Sequence, residues 1–168
     1  MAVPKVYLDN NVVCGVTKDD LPAGEPEALT ELLKLHSEGK ISVVTSEVTR
    51  QEMETWRGEN RPPAERVFYL LAKVEFIADQ TLLGFHNQWD RMGGCSVPLV
   101  EDDPDSRQLR GIGLDRTDAH HVMLAIRNGC AYFITCDTKS ILKYRSAVEA
   151  QYPSVKLMKP SELVALLK

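Results

Sequence analysis

Residues 131–142 read AYFITCDTKSIL. Ala131 to Thr135 is a short apolar, β-prone run that follows Gly129 and stops at Cys136-Asp137, the pattern of a buried strand ending in a polar turn. Lys5 to Leu8 (KVYL) has the same character and ends at Asp9-Asn10-Asn11, after which the sequence reads as a turn and a loop containing Pro22, Gly24 and Pro26. Ile41 to Thr45 (ISVVT) is a further strand, Val155 to Met158 a last short one, and Val74 to Ile77 a weaker one.

Between these runs the apolar residues recur at helical spacing. Leu29, Leu32, Leu33 and Leu35 form one stripe, closed by Gly39. Ser46 is a suitable N-cap for a helix carrying Val48, Glu52 and Trp56. Pro62-Pro63 opens a helix with Val67, Phe68, Leu70 and Leu71, since proline is tolerated in a first turn. Residues 81–91 read as helical and residues 93–105 as a loop. Asp115 or Thr117 caps a helix holding Ala119, Val122, Met123, Ala125 and Ile126, which Gly129 stops. A helix through Ile141, Leu142 and Val148 follows, and Pro160-Ser161-Glu162 opens a terminal one. Alternating strands and helices, with strands apolar on both faces, predict an α/β fold whose parallel sheet is covered by helices on both sides.

The chain has 168 residues, a length suited to one domain with a real core. Its 43% hydrophobic and 26% charged residues fit a globular protein. The opening residues MAVPKVYLDNNVV lack the apolar core of a secretory signal, and no apolar run reaches the roughly 20 residues of a bilayer span. The expected location is therefore the cytoplasm, without membrane association. Cys14, Cys95, Cys130 and Cys136 form no CxxC and no zinc spacing with histidine, so they read as plain thiols. A net charge of -4 argues against gripping nucleic acid by bulk positive charge. It does not argue against a nuclease whose clustered carboxylates are neutralised by bound cations.

Asp9 and Asp137 each sit directly after a strand, where open parallel sheets collect their ligands. Asp118 opens the helix leading into the Asp137 strand, and Glu52 lies on the helix after the second strand. Two carboxylates about 5 Å apart repel by roughly 3 kcal/mol at an effective dielectric of ~20. Three or four converging acids therefore need protons or a cation. A hard all-oxygen set without cysteine or histidine selects Mg²⁺ or Mn²⁺, which can activate water and polarise phosphate.

Four segments carry a resemblance. VYLDNNVV (6–13), ISVVTSEVTRQEME (41–54), LDRTDAHHVMLAIRNG (114–129) and AYFITCDTKSIL (131–142) resemble, in order, the acid-bearing segments of the PIN-domain nucleases, especially the VapC-like toxin ribonucleases. The resemblance implies a single PIN-like domain over residues 1–168 with a parallel sheet in order 3-2-1-4-5. It implies a metal-dependent endoribonuclease with Asp9, Glu52, Asp118 and Asp137 as catalytic and metal-holding residues. It also implies an RNA substrate, an antitoxin partner and a homodimer. Asn10, Asp115 and Thr135 are accessory candidates, and Arg50, Arg57 and Lys139 are candidates for RNA contact. The chain departs from the family at Asn10, where many relatives carry Thr or Ser, and in the length of residues 84–113, which leaves room for a loop insertion.

Other features weigh less. His120-His121 point about 100° apart on a helix and so are expected to pack rather than share an ion. Trp56 and Trp89 are expected in packing roles, and Glu101-Asp102-Asp103 as a solvated loop. Two other functions compete with the nuclease: a catalytically silent PIN-like scaffold, and an aspartyl-phosphate domain. The second, in its haloacid-dehalogenase form, wants an aspartate two residues after Asp9, where Asn11 stands.

Overall fold

The computed structural model describes residues 2–47, 49, 74–77, 82–87, 96–100 and 103–168, without the side chains of 17–18, 82–87 and 96–100. Strands β1 (Lys5–Leu8), β2 (Ser42–Ser46), β3 (Glu75–Ile77), β6 (Tyr132–Ile134) and β7 (Lys156–Met158) form an all-parallel sheet in the spatial order β3-β2-β1-β6-β7. That is the expected 3-2-1-4-5 order, so the chain reverses its direction of growth between β1 and β6.

Period-two alternation divides the strand residues between two cores. Tyr7, Val44, Phe133 and Leu157 point to one face, against α3 (Pro104–Ile112), α4 (Arg116–Arg127) and α5 (Arg145–Gln151). Val6, Leu8, Val43 and Ile134 point to the other, against α1 (Asn10–Lys18), α2 (Glu25–Ser37) and α6 (Pro160–Leu167). Helices cover both faces, which is why the strands carry apolar residues on both sides. Tyr7 stacks on its cross-strand neighbour Phe133, with ring centroids 5.3 Å apart.

Several expectations are corrected. The stretch after Asp9 is a helix, α1, not a turn and loop. Val12 and Val13 are poor helix formers, but both are fully buried against the sheet, and that packing outweighs propensity. Gly15 lets α1 approach the chain beyond it: a Cβ there would lie 2.4 Å from Leu21 Cδ2. The region 81–91 contains strand β4 (Leu82–Asn87) rather than a helix, and 93–105 contains strand β5 (Ser96–Val100) and the start of α3 rather than a loop. β4 and β5 pair antiparallel in a separate two-stranded sheet, with a register shift between Leu82 and Gly84 and with Pro98 opposite Phe85. A two-stranded sheet leaves each strand a side that needs no ladder bond, the setting in which a strand proline is tolerated. The expected helix through Ile141 is a 3₁₀ turn at Leu142–Tyr144 followed by α5.

Ser46 caps the next helix as expected, its Oγ accepting the Thr49 N–H at 3.2 Å, and Glu47 and Thr49 are helical. The expected helix opened by Pro62-Pro63 and the tryptophans Trp56 and Trp89 lie outside the described residues. Among the described residues, no helix is long and apolar enough to cross a membrane.

The chain's first and last thirds are tied by a buried carboxylate. Glu25 accepts the Ser161 N–H at 2.9 Å and the Ser161 hydroxyl at 2.8 Å, and so satisfies a donor in the first turn of α6. Glu25→Ala is expected to cost about 1–2 kcal/mol, the worth of a lost cap, read as a lower urea midpoint. Glu25→Gln keeps an acceptor and should lose less; equal midpoints for all three proteins would show the contact to be idle.

Candidate active site

The reversal between β1 and β6 places their carboxyl ends side by side. The Asp9 N–H donates to the Ile134 carbonyl at 3.0 Å, extending the ladder one residue past β1. Thr135, the residue that follows β6, donates its hydroxyl to Asp9 Oδ2 at 2.8 Å. Asp9 precedes α1 in the N-cap position but makes no side-chain cap, because its carboxylate is turned to Thr135 instead. Thr45, the penultimate residue of β2, donates its hydroxyl to the Leu8 carbonyl at 3.0 Å.

Asp9 is only 3% exposed. Burial pushes its carboxyl from the ordinary 3.8 up to about 7; the Thr135 hydroxyl and the Asn10 N–H oppose the rise, and the negative charges of Asp118 and Asp137 add to it.

Asp118 arrives from the other side of the crevice on the first turn of α4. Gly113, at φ 126, makes the α3–α4 turn so tight that a Cβ would lie 2.5 Å from Tyr144 Cζ. Asp115 then caps α4, its Oδ1 accepting the Asp118 N–H at 2.8 Å. The expected capping role of Asp115 is thus present, and its charge is felt at Asp118. Burial raises the Asp118 pKa, with the nearby Ser140 side chain opposing the rise and the charges of Asp115 and Asp137 adding to it. Asp118 Oδ2 is buried and has no hydrogen-bond partner among the described residues.

Asp137 is the most firmly held of the three. Its Oδ1 accepts the N–H groups of Lys139 at 2.8 Å and Ser140 at 2.7 Å, and its Oδ2 accepts the Ser140 hydroxyl at 2.8 Å. Its own N–H donates to Thr135 Oγ1 at 3.1 Å, so Thr135 links the two strand-end acids. Burial alone would raise the Asp137 pKa, but the three loop donors and the Lys139 charge outweigh it and hold the carboxyl below its ordinary range.

The fold therefore brings Asp9, Asp118 and Asp137 close enough to feel one another's charge, with Thr135 and Lys139 beside them. Asn10 contributes its N–H to Asp9, while its side-chain oxygen accepts the Cys14 thiol at 3.2 Å. Glu52, Arg50 and Arg57 lie outside the described residues. As the side chains stand, no three histidine, cysteine, aspartate or glutamate residues among the described ones form a group that could hold a metal ion. The donor chemistry nonetheless suits a hard cation. Asp118 offers a buried oxygen without a partner, and Asp137 Oδ2, with one donor, keeps a free lone pair.

His120 and His121 are buried on α4, and His121 Nδ1 meets the Tyr7 hydroxyl at 2.8 Å in the core, a packing role. Sequence reasoning missed Ser140. Its signal was the Asp-Thr-Lys-Ser run, in which a serine three residues after an aspartate closes a turn on the carboxylate.

No protein-family model matches this chain. No curated protein matches it either.

Proposed function

We propose that the chain is a metal-dependent endoribonuclease of the PIN-domain kind, hydrolysing RNA phosphodiester bonds in the cytoplasm. One observation carries the proposal: a buried carboxyl at the sheet's switch point, Asp9, shares its crevice with two further acids, one of which keeps a buried oxygen that no described residue satisfies. Such a set is under-compensated by the protein and fits Mg²⁺ or Mn²⁺ held by Asp9, Asp118 and Asp137, with Glu52 as the fourth acid from the resemblance. When bound, the ion would supply Lewis-acid polarisation of the phosphate and a lowered pKa for the attacking water.

The chain's own residues divide the remaining work. Thr135 fixes the Asp9 carboxylate, the Lys139–Ser140 turn fixes Asp137, and the cap by Asp115 fixes the turn of helix bearing Asp118. Lys139, exposed and with its charge felt at Asp137, is the candidate to meet a substrate phosphate. Arg50 and Arg57 remain candidates for the same task. The test is cleavage of single-stranded and structured RNA with Mn²⁺ or Mg²⁺. Cleavage should need the ion and vanish in the Asp9→Asn, Asp118→Asn double variant; activity that survives both changes would sink the proposal.

The toxin form of this reading adds an antitoxin partner and a homodimer and draws its support from the sequence resemblance alone. Its check is a small neighbouring reading frame whose product copurifies with the chain. The second reading is a catalytically silent PIN-like scaffold. It is favoured by Asp137, whose two oxygens both serve its own turn. Calorimetry separates the two, since a scaffold should take up no divalent ion in an acid-dependent way.

A further inference from the structure

The turn after β6 carries an aromatic ring that meets the turn before α4. Asp137 holds the first turn twice: its carboxylate accepts the Lys139 and Ser140 N–H groups, and its carbonyl accepts the Leu142 N–H at 2.9 Å. Ile141 is fully buried, and its carbonyl accepts the Tyr144 N–H at 3.0 Å, so Tyr144 is fixed to the same piece of chain. The half-buried Tyr144 ring lies against Gly113, where a Cβ would come within 2.7 Å of the hydroxyl. Gly113 stands two residues before Asp115, the cap of the helical turn that bears Asp118. Lys143 holds its Nζ over the Tyr144 ring, 4.6 Å from the centroid. Lys143 and Lys139 are both exposed, and neither forms an ion pair among the described residues, whereas the adjacent Arg145 is taken by Glu162.

We propose that Tyr144 is a stacking platform for one base of single-stranded RNA, with Lys143 and Lys139 meeting neighbouring phosphates. The choice of RNA as the ligand rests on the nuclease reading; the platform rests on the ring and its lysines. Lys143 covers the ring only until a base arrives. An exposed cation over a tyrosine is worth about two- to fivefold in an equilibrium. A base stacked on an aromatic ring is worth about five- to hundredfold. The base therefore wins the ring, and the displaced ammonium, on its flexible four-carbon stem, turns to a phosphate. The turn itself is already held by Asp137, so binding adds little ordering cost. Every base has a π-face, so the platform places a strand without reading its sequence. A packing role alone would ask of Tyr144 only apolar bulk against Gly113.

The experiment is the binding of a short fluorescein-labelled oligouridine, followed by anisotropy in EDTA, beside Mn²⁺-dependent cleavage of the same RNA. Tyr144→Leu, which keeps bulk but no ring, is expected to bind about tenfold more weakly, and Tyr144→Phe to stay within about twofold of wild type. In cleavage the Leu variant should raise KM about tenfold and leave kcat near the wild-type value, because a stacked base is held equally before and during reaction. Lys143→Met should flatten the slope of log affinity against log salt by about 0.7, the single-strand value for one phosphate. Tyr144→Leu binding as tightly as wild type overturns the platform and leaves the nuclease reading intact. Wild-type protein that binds through Tyr144 but cuts no RNA in Mn²⁺ supports the platform and sinks the nuclease reading. Protein that neither binds nor cuts overturns both. If Tyr144→Leu does not fold by thermal melt, an abasic oligomer of the same length is offered to the wild type: it should bind about tenfold more weakly than the oligouridine, and equal affinity overturns the platform.

Discussion

Asp9→Asn should make the metal-free protein more stable, and the gain should grow with pH. Asp9 is buried, and its carboxyl is pushed from 3.8 up to about 7, first by burial and then by the charges of Asp118 and Asp137. In the unfolded chain the group ionises near its ordinary value. Between about pH 4 and pH 7 the unfolded state therefore releases a proton that the folded state keeps, and stability falls as pH rises through that window. Above about pH 7 both states are ionised and the loss is complete. Asparagine removes the charge while its amide oxygen can still accept the Thr135 hydroxyl. The variant and the wild type should be similar near pH 4, and the variant should be ahead at pH 8. Three pKa units correspond to about 4 kcal/mol, so between pH 4.5 and pH 8 the difference should widen by about 3 kcal/mol. Urea unfolding in EDTA at the two pH values measures it. A difference that does not change with pH would mean that Asp9 is no more buried in solution than an ordinary surface carboxylate. The shift would be the usual mark of a group kept for function at a cost in stability.

The parts of this site that the sequence reveals are those fixed by local pattern. With Val6 and Leu8 on one face and Tyr7 on the other, β1 is apolar on both sides, so the parallel sheet and the aspartates that follow β1 and β6 can be read directly. Asp115 and Asp118 are legible because a capping residue three positions before a helical acid is a local signal. What stayed hidden depends on partners far along the chain. Val12 and Val13 disfavour a helix until the sheet and α2 bury them. The run Leu82–Asn87 contains nothing that marks it as a strand before it meets Ser96–Val100, and the register shift at Leu82/Gly84 blurs its alternation. Ser140 is an ordinary turn residue in the sequence. It becomes part of the site because its N–H and hydroxyl both close on the Asp137 carboxylate at the end of β6.

The same Asp9 carboxyl makes a second measurement decisive. Under the proposed function an ion must displace whatever proton Asp9 holds, so ion affinity should fall about tenfold for each pH unit below 7. Between pH 8 and pH 5 Asp9 alone should weaken Mn²⁺ binding by about a hundredfold. Asp118, whose pKa is also raised, steepens the fall, whereas Asp137 is held below its ordinary range and stays ionised throughout. Calorimetry at pH 6 in buffers of different ionisation heat should count close to one proton released per ion bound, and the Asp9→Asn variant should release fewer and show a flatter profile. An affinity that is level from pH 5 to pH 8 would separate Asp9 from the ion entirely. The proton and the ion answer the same physical demand, because a buried carboxylate facing two like charges must take on a positive partner. At acid pH that partner is a proton, which leaves the crevice inert. Above neutrality the proton departs and the cation becomes the cheaper neutraliser, so the protein should be most firmly folded without metal where it is least able to bind one.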